Sequence, residues 1–128
     1  MNLESRVAKT QKNPEELYNF LIQVENFKNL MPEDTKFELK GEDKFLFGLK
    51  GMPEIALALT DKTPHSQVVL GSTSDKLAFT LTCNISETEN GSEAQLLFNG
   101  DFNAMMAMMI KGPITKFLEQ LANGLEKI

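Results

Sequence analysis

The chain has 128 residues, the length of one ordinary domain, and aliphatic, aromatic and sulfur residues make up 41% of it. That is enough apolar surface to exclude collagenous, low-complexity and disordered chains. Thirteen basic residues against eighteen acidic ones leave a formal charge of −5, and no Lys/Arg cluster supplies the basic stripe that phosphate binding requires, so nucleic acid is not an expected partner.

Residues 1–10 place Leu3, Ser5 and Val7 on one side and Asn2, Glu4 and Arg6 on the other, the period of a strand. Asn13-Pro14-Glu15-Glu16 then starts a helix. Asn13 can cap, Pro14 suits the first helical position, and Glu16 holds the capping-box acid position. Leu17, Phe20, Leu21 and Val24 follow at helical spacing, and a shorter turn around Phe27, Leu30 and Met31 is stopped by Pro32.

Across residues 36–101 the period changes to two. Phe37 and Leu39 alternate with charges before Gly41-Glu42-Asp43 turns the chain. Phe45, Phe47 and Leu49 share a face, and Lys50-Gly51-Met52-Pro53 turns again. Ile55, Leu57 and Leu59 follow, then a break at Thr63-Pro64-His65-Ser66 and a short strand from Val68. Leu77, Phe79, Leu81, Cys83 and Ile85 give the cleanest alternation, and Asn90-Gly91 precedes Ala94, Leu96 and Phe98. Seven strand candidates with short links predict an antiparallel meander. The helical period returns over residues 102–128, interrupted at Gly112-Pro113. The expected fold is α+β over a single domain, residues 1–128: a seven-stranded curved antiparallel sheet around a long C-terminal helix, with two short helices after the first strand.

Three stretches carry a family likeness. They are Asn13-Pro14-Glu15-Glu16-Leu17-Tyr18-Asn19-Phe20, then Val24-Glu25-Asn26-Phe27-Lys28-Asn29-Leu30-Met31-Pro32, and the final helix with its Asn103-Ala104-Met105-Met106-Ala107-Met108-Met109-Ile110-Lys111-Gly112-Pro113 opening. The chain resembles the START/SRPBCC helix-grip superfamily of lipid-transfer, polyketide cyclase-like and birch-pollen-allergen-like proteins, in its small bacterial branch. That resemblance covers the whole chain and implies an apolar cavity between sheet and last helix. The matching stretches are signatures of fold and carry no catalytic motif.

One cysteine excludes a disulfide framework and a thiolate cluster, and one histidine excludes a multi-histidine site, so no metal and no cofactor is expected. No segment reaches the roughly 18 apolar residues of a membrane-spanning helix, so no stable membrane insertion is expected. Residues 1–10 lack the basic head and apolar run of a leader, which with the lone thiol points to the cytoplasm.

The inward strand face is expected to hold Phe45, Phe47, Leu57, Leu59, Leu77, Phe79, Leu81, Leu96 and Phe98. Such a face lines either a filled core or a pocket for an apolar guest, and it offers no acid, base or hydroxyl. Ser5 and Thr63 are the nearest polar candidates. Asn99 and Asp101 fall out of phase and should face solvent. His65 is expected in an exposed loop without a catalytic partner, and Cys83 on the apolar side as an inert thiol.

On the last helix Ala107, Ile110, Ile114, Phe117, Leu118, Leu121, Leu125 and Ile128 form one stripe for the sheet to grip, while Phe102, Met105, Met106, Met108 and Met109 fall largely outside it. The methionines suit packing, a pliable cavity mouth or a subunit surface. The expected function is binding of a small apolar ligand (a lipid, isoprenoid or polyketide-like molecule) without catalysis. Phe45, Phe47, Leu57, Leu59, Phe79, Leu81, Leu96, Phe98, Met105, Met106, Met109, Phe117 and Leu121 would line its site. The alternatives are a cyclase- or dehydratase-like enzyme and a protein-interaction or dimeric module using the methionines. A monomer or weak homodimer is expected.

Overall fold

A computed structural model describes residues 1–31, 35–49, 54–73 and 78–128. Leu77, Pro32 and the Lys50-Gly51-Met52-Pro53 turn lie outside the described residues.

The N-terminal segment is two strands, β1 (Asn2–Glu4) and β2 (Ala8–Thr10), and both pair with β8 (Gly91–Gly100). After β2 come α1 (Pro14–Leu21) and a 3₁₀ helix (Val24–Leu30), and then β3 (Lys36–Leu39), β4 (Lys44–Gly48), β5 (Ile55–Thr63), β6 (Gln67–Ser72), β7 (Phe79–Thr88) and β8. The chain closes with α2 (Ala104–Leu125). The sheet runs β1-β8-β7-β6-β5-β4-β3, all antiparallel, with β2 continuing the β1 ribbon along β8.

Eight strands therefore replace the expected seven among the described residues, and the physical reason is a bulge. Leu3 faces Phe98 and Ala8 faces Ala94, so the N-terminal ribbon holds one residue more than β8 does over that span. The Ser5 hydroxyl accepts from the Leu96 amide at 3.0 Å, and the Ser5 amide donates to the Leu96 carbonyl at 2.8 Å. The extra residue reverses the alternation: Val7 turns out to solvent, 43% exposed, and Ala8 is buried. Ser5 is thus a structural hydroxyl.

The helix starts agree with the sequence chemistry. The Asn13 side chain accepts from the Glu16 amide at 2.8 Å, and the Glu16 carboxylate accepts from the Asn13 amide at 3.1 Å. Asn103 caps α2 by accepting from the Met106 amide at 2.8 Å. Pro113 does not end α2, which runs unbroken through it.

The sheet is strongly curved. α2 leaves β8 at one end and brings Glu126 back to Arg6 and Lys9, beside β8's other end. Twenty-two helical residues span about 33 Å, which is also the reach of a ten-residue strand at roughly 3.3 Å per residue. Yet mid-helix Phe117 stacks on Phe47 of β4, with ring centroids 4.9 Å apart. Strands β8 and β4 are four spacings apart, roughly 19 Å in a flat sheet, so the sheet must curl around the helix for both contacts to exist. This is a helix-grip arrangement.

Candidate functional site

The concave face is built from cross-strand rows. Leu59, Leu70, Leu81, Phe98 and Leu3 stand side by side across β5, β6, β7, β8 and β1. Val68, Cys83 and Leu96 form the next row. Phe45 stacks on Phe27 of the 3₁₀ helix at 5.4 Å and on Phe37 at 5.1 Å, and Phe79 meets Phe98 at 4.7 Å. From α2, Ile110, Ile114, Phe117, Leu118, Leu121, Ala122 and Leu125 are buried against these rows, which is the expected stripe with Ala122 added and with Ala107 and Ile128 at its margin.

Among the proposed site residues, Phe45, Phe47, Leu57, Phe79, Leu81, Leu96, Phe98, Phe117 and Leu121 come together in one buried cluster. Phe45, Phe47, Leu57 and Leu121 have none of their surface open and touch protein on every side. Leu59 and Met106 are half-buried at the edge of that cluster. Leu59 is marginal because Thr60 bulges: Leu59 faces Leu70, Asp61 faces Val69, and Thr60 has no partner opposite.

Met105 and Met109 do not join the cluster. They are 75% and 56% exposed, and Met108 between them is 83% exposed. Helical phase explains the placement: at about 100° per residue these three side chains centre nearly opposite the buried stripe, whereas Met106 lies on its flank. Phe102 reaches the core instead, stacking on Phe98 with centroids 6.0 Å apart. Residue type alone could have suggested Phe102, but it precedes the helix, so helical phase gives its direction wrongly.

The register places this apolar segment at one end of the fold. Phe79 pairs with Gly100 and Leu57 with Ser72, so β8 ends, β7 begins, β6 ends and β5 begins at the same sheet end from which α2 starts. The opposite end holds an open depression of about 600 Å³ that brings Lys9 near Glu89, Glu93 and Glu126. There Arg6 pairs with Glu126 at 2.7 Å and also donates to Asn123. The Arg6 hydrogen bond holds the Glu126 carboxyl below its usual range and raises the guanidinium in turn.

Besides the Tyr18 phenol, the described interior holds two buried polar side chains, Ser5 and Ser92, and both bond to backbone; Ser92 donates to the Lys12 carbonyl at 2.7 Å. Cys83 is buried, and loss of solvent pushes its thiol up to about 12. Asn99 and Asp101 face solvent as expected, and Thr63 is exposed. His65 is exposed but engaged: it takes φ +66° after Pro64 in a turn closed by the Ser66 amide on the Thr63 carbonyl, and its ring meets Tyr18 edge-on at 5.6 Å. Among the described residues no group of three His, Cys, Asp or Glu side chains is placed to hold a metal, and no helix is long and apolar enough to cross a membrane.

Neither the models of protein families nor the curated proteins give a match to the chain. Solved structures do match it. Protein Ms6760 from Mycobacterium smegmatis superposes with a TM-score of 0.74 at 8% identity, over 98% of this chain and 88% of that one. A protein from Rhodobacter sphaeroides gives 0.71 at 12% identity, over 98% and 89% of the two chains. The Aha1 dimer from Colwellia psychrerythraea gives 0.60 at 14% identity, over 98% and 96%. At these identities the likeness establishes a shared fold.

Proposed function

We propose that the protein is a START/SRPBCC-type binder that holds a small apolar molecule (lipid, isoprenoid or polyketide-like) between sheet and α2 without transforming it. The observation that carries this reading is the contrast within α2. Its later turns are amphipathic and anchored, while residues 104–110 are apolar nearly all round, though only Ile110 is fully buried.

The physical consequence is a segment indifferent to which face turns inward. If residues 104–109 roll on the sheet, Met105 and Met109 replace Met106 against the apolar core, and apolar surface still meets apolar surface. Pro113 eases that movement. It has no amide hydrogen, so the Met109 carbonyl lacks its donor four residues on, and the helix is weakened where the anchored half begins. A guest would then be held by area burial, at about 25 cal/mol per Å², with flexible thioethers moulding to it. A non-catalytic role is favoured by a described interior that presents hydrocarbon, sulfur, one tyrosine phenol and two committed serine hydroxyls.

A dimeric or protein-facing use of the same methionines is the second reading. The exposure of Met105 and Met108 favours it, as does the dimeric state of the similarly folded Colwellia Aha1.

Native mass spectrometry of protein purified without detergent tests the choice. The binding reading expects monomer carrying a co-purified apolar molecule, or taking up an added fatty acid or quinone at about one per chain. Dimer that takes up neither would replace it with the second reading.

A further inference from the structure

We infer that Met105, Met108 and Met109 form an oxidation site on α2, and that their conversion to sulfoxides holds the helix in its closed orientation. The spacing i, i+3, i+4 sets the three side chains on one face of the helix. At 75%, 83% and 56% exposure their thioethers are open to a dissolved oxidant. The other described sulfurs are shielded to differing degrees. Met31 and Cys83 are buried, and Met1 and Met106 are half-buried against the core. Burial also keeps the Cys83 thiol protonated, which removes the thiolate that oxidants prefer.

The reaction is a two-electron oxygen transfer from a peroxide. The thioether sulfur attacks one peroxide oxygen, the O–O bond breaks, and an S–O bond forms; with hydrogen peroxide the displaced oxygen leaves as water after proton transfer. Sulfur is oxidised and the peroxide is reduced. A dithiol-dependent methionine sulfoxide reductase reverses the step.

A sulfoxide is strongly polar and a good hydrogen-bond acceptor. On the solvent face it is hydrated, so the closed structure loses nothing. Turned inward against Phe79, Phe98 and Phe102 it would exchange that hydration for contact with aromatic carbon. Oxidation therefore penalises only the rolled state. This consequence for guest exchange rests on the proposed apolar-binding function; the pattern of oxidation does not.

The experiment treats native protein with dilute hydrogen peroxide and follows each methionine by peptide mass mapping. Met105, Met108 and Met109 should gain oxygen at least about tenfold faster than Met31 and ahead of Met106. Urea unfolding of the product should match untreated protein, and its retention on a hydrophobic column should fall. Association of an apolar dye should slow by about tenfold and recover after reductase treatment. The triple variant Met105→Leu, Met108→Leu and Met109→Leu should keep its dye kinetics through the same treatment.

Oxidation of Met31 or Met106 as fast as the three, or a product that unfolds at much lower urea, would overturn the assignment. Unchanged dye kinetics in the fully oxidised protein would overturn the locking step. Untreated protein that binds no dye would instead contradict the binding function, with the oxidation map and column retention still deciding the site.

Discussion

Two glycines on one helix should respond oppositely to the same methyl group. Gly124 faces the 3₁₀ helix, and a Cβ there would lie 2.8 Å from both the Cα and the carbonyl oxygen of Leu30. Backbone cannot move aside like a side-chain tip, so Gly124→Ala should cost about 1–3 kcal/mol despite alanine's better helix propensity. Gly112 has nothing within 4 Å of the same position, and Gly112→Ala should gain about 0.5–1 kcal/mol. Urea unfolding of the two variants checks both signs. Neither difference is legible in the sequence, where both are helical glycines; only the approach of Leu30 separates them. His65 teaches a related point. Pro64 marks its turn, but the left-handed backbone and the Tyr18 contact depend on where α1 lies.

Elements whose signals are local and repeated were readable: the Asn13–Glu16 box, the long alternation of β7, and the gripped stripe of α2. Elements that depend on a partner's count of residues were not. The bulge between β1 and β2 exists because β8 offers one residue fewer over that span, and Ser5 bridges the mismatch. Pro113 marks the weakest point of α2, since the Met109 carbonyl lacks its helical donor. Pro113→Ala restores that bond and should raise stability by about 1–2 kcal/mol, the helix gain being partly offset by a freer unfolded chain. If the turns before it carry guest exchange, the variant should also bind an apolar dye more slowly while reaching similar occupancy. Stopped-flow fluorescence beside urea unfolding measures both. Faster association would place the moving part elsewhere.

The whole molecule divides into an anchored body and one apolar end. The body is the curved sheet closed by α1, the 3₁₀ helix and the later turns of α2, with aromatic stacks running from Phe27 through Phe45 and Phe47 to Phe117. Its fold was legible because the strands from β4 to β8 had to bury one face, and period two showed which. The site was legible only as a set of apolar residues: a core and a pocket are lined alike, and the difference depends on how the methionine turns seat on the sheet. Equilibrium titration with an apolar fluorescent dye, comparing the native chain with Met105→Gln/Met109→Gln, tests that seat most directly. Both side chains are exposed in the closed structure, so the exchange should leave urea unfolding within about 0.5 kcal/mol. If these turns roll inward around a guest, dye affinity should fall by about tenfold, or about 1.4 kcal/mol. Equal affinity in the two proteins, with stability unchanged, would contradict a binding site under the methionine turns.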